Sequence, residues 1–111
     1  LKKLVITLLL TLIVLTTAFT PFALAADTAS GAEVFSVHCA GCHINGGNII
    51  RRGKNLKQKA LKRDGIDSLE AIASLVANGK NNMSAFKDRL SQQQIEDVSA
   101  YVLEQAANNW R

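Results

Sequence analysis

Cys39-Ala40-Gly41-Cys42-His43 is the stretch on which the reading of this chain turns. Two thiols two residues apart, followed at once by a histidine, form the C-x-x-C-H signature for covalent attachment of a c-type haem. One short helical turn sets both thiols beneath a porphyrin, where they add to its vinyl groups as thioethers. His43 then lies under the iron and can ligate it through an imidazole nitrogen. Gly41 keeps the turn slim beside the ring edge. Cys39 and Cys42 are the only 2 cysteines in 111 residues, so no other sulfhydryl chemistry competes elsewhere. A redox C-x-x-C pair belongs at a helix N-terminus after a strand, whereas here a helical pattern precedes the cysteines. A structural zinc site needs four ligands. Cys39, Cys42, His38 and His43 are too crowded to surround one metal tetrahedrally, and His38 is expected to be structural or exposed.

Toward the N-terminus, Lys2 and Lys3 precede an apolar run from Leu4 to Val14 that continues to Phe19. Pro21 breaks it, and Ala23-Leu24-Ala25 has the small-x-small pattern of a signal-peptidase site. A membrane span needs about 20 apolar residues, and this threonine-bearing run only marginally reaches that. Residues 1–25 are therefore expected to be a cleaved secretory signal, leaving a single domain at 26–111. Export agrees with the motif, because bacteria attach haem to such cysteines outside the cytoplasm. Without Lys2 and Lys3, the 13 Lys and Arg fall to eleven against 9 Asp and Glu. That bias is too small to point to nucleic acid. A domain this short usually needs a staple, and a disulfide across two residues would constrain the unfolded chain little.

Toward the C-terminus the pattern is helical, with no alternating strand. Ser30-x-x-Glu33 and Asp67-x-x-Glu70 read as capping boxes. The first opens a helix running to the cysteines, and the second opens one through Leu69, Ile72, Leu75 and Val76. A short basic helix is expected near Asn55–Arg63, ended by Gly65. Gly79 suits a helix end. Ser91-x-x-Gln94 starts a last helix to about Ala107, with Ile95, Val98 and Val102 at helical spacing. The expected fold is small, all-α and loop-rich.

The loop after Gly79 is apolar at Met83, Ala85 and Phe86 and should lie against something buried. Met83 is the only methionine and follows His43 by forty residues. Its thioether is a soft iron ligand, and His/Met ligation closes both axial positions and raises the reduction potential. Methionine is also a common gap-filler in cores. With no other soft ligand present, iron ligation is the expectation.

These residues together resemble the cytochrome c6 family, soluble photosynthetic carriers of cyanobacteria and algae. The resemblance runs through Gly31-Ala32-x-Val34-Phe35, Gly46-Gly47-Asn48, Lys54-x-Leu56-Lys57 and Asn78-Gly79-Lys80-Asn81-x-Met83. It continues in Phe86-x-x-Arg89-Leu90 and Gln94-Ile95-x-Asp97-Val98-x-Ala100-Tyr101-Val102-Leu103, and ends on Trp110. It implies a class I cytochrome c fold, about four helices wrapped around one covalently bound haem. It also implies a monomer in the thylakoid lumen or periplasm, docking transiently with the cytochrome b6f complex and with photosystem I or a terminal oxidase. Asn48 and Lys54 match positions near a haem propionate. Two residues depart from the family pattern: Ser84 stands where proline generally follows the ligand methionine, and Leu75 stands where a haem-proximal glutamine is common. Some c6-like variants are apolar at that second place, so a low-potential variant with another redox partner is the alternative.

Arg51, Arg52, Lys54, Lys57, Lys59, Lys62 and Arg63 precede the acid Asp64 without interruption by any other. Such a run is either a solvated face or a patch that steers the carrier toward acidic partners. Arg89, six residues after Met83, is expected to flank the haem edge and join that docking. If Met83 does not bind iron, an open haem site makes the chain a sensor or peroxidase. A haem module docked permanently on a larger oxidoreductase is the third possibility.

Overall fold

The last helix organises the others. In the computed structural model, which describes residues 1–17 and 25–111, that helix is α5, Gln92–Ala107, and it follows α1 (Lys2–Thr17), α2 (Thr28–His38), a 3-10 turn (Ile44–Gly46), α3 (Gln58–Arg63) and α4 (Leu69–Asn78). No strand occurs among the described residues. Ile95, Val98, Val102 and Ala106 recur on one face of α5 and are buried. Against that face pack α2, α4, α3 and the 3-10 turn, bringing Val34, Phe35, Leu61, Ile72 and Val76 into one core with Phe86 and Leu90. Ser99 is fully buried on α5, and its hydroxyl donates to the Ile95 carbonyl at 2.6 Å. A buried hydroxyl is tolerable only when satisfied in this way.

The caps partly differ from the sequence expectation. The capping box Ser91/Gln94 is present in full. Helix α2, however, begins three residues before its expected start, and Asp27 caps it by accepting from the Ala29 and Ser30 N–H groups. The reason is tertiary: the Asp27 N–H donates to the Asp97 carboxylate on α5 at 2.8 Å, which anchors the chain one turn earlier. In α4 the cap is Ser68, whose hydroxyl accepts from the Ala71 N–H at 3.1 Å, not Asp67. Helix α3 is shorter than expected because Asn55 closes a turn onto the Lys57 N–H.

Helix α1 is exposed over Leu4, Val5, Ile6, Leu8, Leu9, Leu10, Leu12 and Ile13. Thr7 and Thr11 fold their hydroxyls back onto the Lys3 and Thr7 carbonyls at 2.6 and 3.0 Å, so they add no unsatisfied polar group to an apolar helix. Among the described residues no helix is long and apolar enough to cross a membrane. Phe19, Pro21 and the Ala23-Leu24 half of the expected cleavage site lie outside the described residues.

Candidate functional site

The C-x-x-C-H stretch forms the turn that leaves α2. The Cys39 and Ala40 N–H groups still bond the Phe35 carbonyl at 2.9 Å, and the His43 N–H closes back on the Cys39 carbonyl at 2.9 Å. Cys39, Cys42 and His43 are therefore fixed in one tight turn, with both thiols free. Burial, and then the neighbouring Cys42, pushes the Cys39 thiol up to about 11, so at neutral pH it remains a thiol. Gly41 has open space where a side chain would stand, so no protein atom requires glycine there.

The His43 ring is oriented by a backbone carbonyl. Its Nδ1 lies 2.8 Å from the Gly47 oxygen; since a carbonyl can only accept, this bond needs the proton on Nδ1, which leaves Nε2 as the nitrogen available to a metal. That is the arrangement a metal-ligating imidazole needs, with the other ring N–H held by a hydrogen-bond acceptor. The signal for this partner was in the sequence, because Gly46-Gly47 follows the histidine at hydrogen-bonding reach. Which carbonyl would accept was not.

Met83 lies partly buried against the core, in a turn closed by reciprocal bonds of 3.0 Å between the Lys80 and Met83 backbones. Asn81 takes a left-handed φ of 53° inside that turn. Gly79 precedes it at φ 69° and ψ 173°, a region essentially confined to glycine. A Cβ there would stand 2.6 Å from the Met83 carbonyl oxygen. The loop is then tied back to α4, as the Phe86 and Lys87 N–H groups bond the Val76 and Ala77 carbonyls at 2.9 and 3.2 Å. Leu75 is half-buried on the same helix but outside the main core.

Asn48 serves its own loop. Its oxygen accepts from the Ile50 and Arg51 N–H groups at 3.0 and 2.8 Å, and its amide donates to the Lys54 carbonyl at 3.0 Å. The Lys54 ammonium pairs with Asp64 at 3.0 Å, as does the Arg63 guanidinium. Arg63, then Lys54, hold the Asp64 carboxyl down to about 2. Two of the seven cations in the basic run are thus tied to one acid. Arg89 lies over the Phe86 ring, 4.2 Å from its centroid, and the exposed His38 meets the same ring edge-on at 6.0 Å.

These residues fit a covalently bound haem. Two free thiols and a histidine oriented by the Gly47 carbonyl share one turn, and Val37, Ile44, Ile49 and Ile50 around them are 77%, 61%, 63% and 56% exposed. That much apolar surface beside one motif suits a large apolar ring. A "cytochrome c6-like" protein of Nostoc sp. strain PCC 7120 is 65% identical over 103 residues, covering 93% of each chain. Cytochrome c6 of the same strain is 48% identical over 110 residues, covering 99% of each. The chain belongs to the cytochrome c6 family. Residues 26–102 also match the family model described as cytochrome C oxidase, cbb3-type, subunit III, a cytochrome c domain. The crystal structure of cytochrome c6B from Synechococcus sp. WH8102 superposes with a TM-score of 0.71 at 55% identity, over 74% of this chain and 93% of that one. This cytochrome c6 family member thus has the class I cytochrome c fold, carries one covalently bound haem c and is an electron-transfer protein, not an enzyme. When bound, the haem supplies a one-electron ferric/ferrous couple. Cys39, Cys42 and His43 would hold that group from one turn, with the Gly47 carbonyl orienting the His43 ring, while backbone hydrogen bonds keep the Met83 loop against α4.

Proposed function

We propose that this cytochrome c6 family member is a diffusing, monomeric one-electron carrier of the thylakoid lumen or periplasm, with its haem iron ligated by His43 and Met83. The observation that carries this reading is the His43 ring, whose Nδ1 lies against the Gly47 carbonyl and so leaves Nε2 to ligate the iron through its lone pair. The Met83 loop supports it, since a glycine-only backbone and four backbone hydrogen bonds hold one flexible thioether in place. A preorganised ligand pair changes the iron's charge with little rearrangement, as electron transfer requires. Residues 1–25 are a cleaved export signal in this reading. The short apolar α1, which contacts no other helix among the described residues, and a family match starting at residue 26 both support it.

The partners follow from the family: reduction by the cytochrome b6f complex and oxidation by photosystem I or a terminal oxidase. Arg89 and the members of the basic run that make no ion pair among the described residues, Arg51, Arg52, Lys57, Lys59 and Lys62, would steer that docking. A specific observation favours a variant of this reading. The chain is 65% identical to the c6-like protein of Nostoc and only 48% identical to the cytochrome c6 of the same strain. Together with Leu75 and Ser84, this favours a c6-like carrier of lower potential with a different redox partner.

The test of ligation is spectroscopic. Ferric wild type should show the weak near-infrared band of methionine–iron ligation, and Met83→Ala should lose it and gain carbon monoxide binding in the ferrous state. Ready carbon monoxide binding by the wild type would instead favour the open-site sensor or peroxidase.

A further inference from the structure

Trp110 is the penultimate residue, yet it occupies a strained position close to the haem-binding turn. Helix α5 ends in a Schellman arrangement, with the Trp110 N–H on the Gln105 carbonyl at 2.8 Å and the Asn109 N–H on the Ala106 carbonyl at 3.3 Å. Asn109 takes the left-handed position at φ 55°, where asparagine is tolerated. Trp110 follows at φ 56°, and for a bulky residue that is a genuine outlier. Strain of this kind persists only where the surroundings over-determine it.

The surroundings are three layers deep. The Trp110 ring packs on Phe35 and Tyr101, with centroids 5.2 and 6.1 Å away. Its Nε1–H donates to the Leu56 carbonyl at 3.0 Å. Its indole also fills the place a side chain would take at Gly46: an ideal Cβ there would lie 2.4 Å from the ring. Gly46 has a φ of 75°, so both its conformation and its missing side chain are required.

From the indole a continuous hydrogen-bond route leads to His43. The Leu56 N–H donates to the Gly46 carbonyl at 2.7 Å, the Gly46 N–H donates to the His43 carbonyl at 3.0 Å, and the Gly47 N–H donates to the Ile44 carbonyl at 2.9 Å. The Gly47 carbonyl that emerges from this turn accepts the His43 Nδ1–H. Among the described residues no hydrogen bond or ring contact joins Trp110 to His43 directly. The connection between them runs through the Gly46-Gly47 turn.

We propose that Trp110 is a positioning residue for the haem ligand His43: the C-terminal indole clamps the Gly46-Gly47 turn so that the Gly47 carbonyl stays in line with Nδ1–H. A carbonyl held there raises imidazole basicity and stabilises the ferric state. Loosening it weakens that bond and raises the midpoint potential. The proposal rests on His43 being the iron ligand.

The experiment uses the haem-loaded protein with 15N-labelled histidine and compares wild type, Trp110→Phe and Trp110→Ala in the ferrous state. Trp110→Phe keeps a ring over Gly46 but deletes the donor to Leu56, so it carries the test should the alanine variant fail to hold haem. Solvent exchange of the His43 Nδ1 proton should be slow in wild type and at least about tenfold faster in Trp110→Ala, with Trp110→Phe between them. The midpoint potential should rise in the same order. If the melting temperature falls while proton exchange and potential stay at wild-type values, Trp110 is only a packing residue and the proposal is overturned. Failure of the ligand reading would give a different signal: the wild-type His43 ring protons would lack the large haem ring-current shift, and the proposal would fall with it.

Discussion

Replacing Gly31 by alanine sets two effects against each other within α2. Alanine is the better helix former by about 1 kcal/mol, so a purely local argument makes Gly31→Ala stabilising. The tertiary contact opposes it. An ideal Cβ at Gly31 would stand 2.1 Å from the Asp97 carbonyl oxygen, 2.6 Å from its carbon and 2.8 Å from the Tyr101 Cβ. Ordinary contact begins at 3.4 Å, so the carbonyl must give by about 1.3 Å, and it belongs to the middle of a helix rather than to a mobile side chain. Parting two helices by about 1 Å forfeits a quarter to a half of each dispersion contact across them. Val34 and Phe35 lie on that interface, and each contributes about 1.5–3 kcal/mol by burial, so the loss is about 1–3 kcal/mol. Local strain from overpacking adds about 1 kcal/mol or more. Net destabilisation should be about 2 kcal/mol, a fall in melting temperature of about 8–16 °C for a domain of this size. Thermal unfolding followed by circular dichroism and haem absorbance reads it, with the exposed neighbour Glu33→Ala as a control for helix propensity. A Gly31→Ala protein that melts at or above wild type would refute the close-packed α2/α5 contact.

Leu75→Gln should raise the midpoint potential. A hydrogen bond of about 1 kcal/mol corresponds to about 40 mV for a one-electron couple, and equal potentials in parallel redox titrations would leave Leu75 as packing. Arg89→Glu should slow oxidation by an acidic partner on the order of tenfold at low ionic strength and little at high salt; a rate indifferent to salt returns Arg89 and the basic run to ordinary solvated surface. Asp97 governs an acid transition. Burial works to raise its carboxyl, but the Asp27 N–H, Gln93 and Ser30 outweigh it and hold the group below its usual 3.8. A depressed carboxyl stabilises the fold fully above that usual value and loses the contribution as pH falls through the lower native value. Asp97→Asn should therefore cost about 1–2 kcal/mol at pH 7 and nothing at strongly acidic pH. Melting curves of the two proteins that stay parallel down to pH 2 would contradict this.

The expectation of a covalently bound haem was legible in one short stretch of sequence. C-x-x-C-H is a local motif: five consecutive residues hold the candidate attachment cysteines and ligand histidine, and their order alone implies the cofactor. The helices of the domain were legible for a similar reason, since Ile95, Val98 and Val102 and the Ser91/Gln94 box express a 3.6-residue period within one segment. Other features needed partners distant in the chain. Asp27, not Ser30, caps α2 because Asp97, seventy residues on, accepts its N–H. Gly31 is glycine because α5 crosses there, and Gly46 because the ring of Trp110 fills the space beside it. Lys54 is paired rather than free because the 51–57 loop returns to Asp64. Local periodicity specifies which segments coil and which face is apolar, whereas close approaches, buried acceptors and ring placements exist only once those faces have met. Which carbonyl lies at His43 Nδ1, and that the Trp110 ring sits beside Gly46 in the same turn, follow from such long-range contacts and from no local pattern.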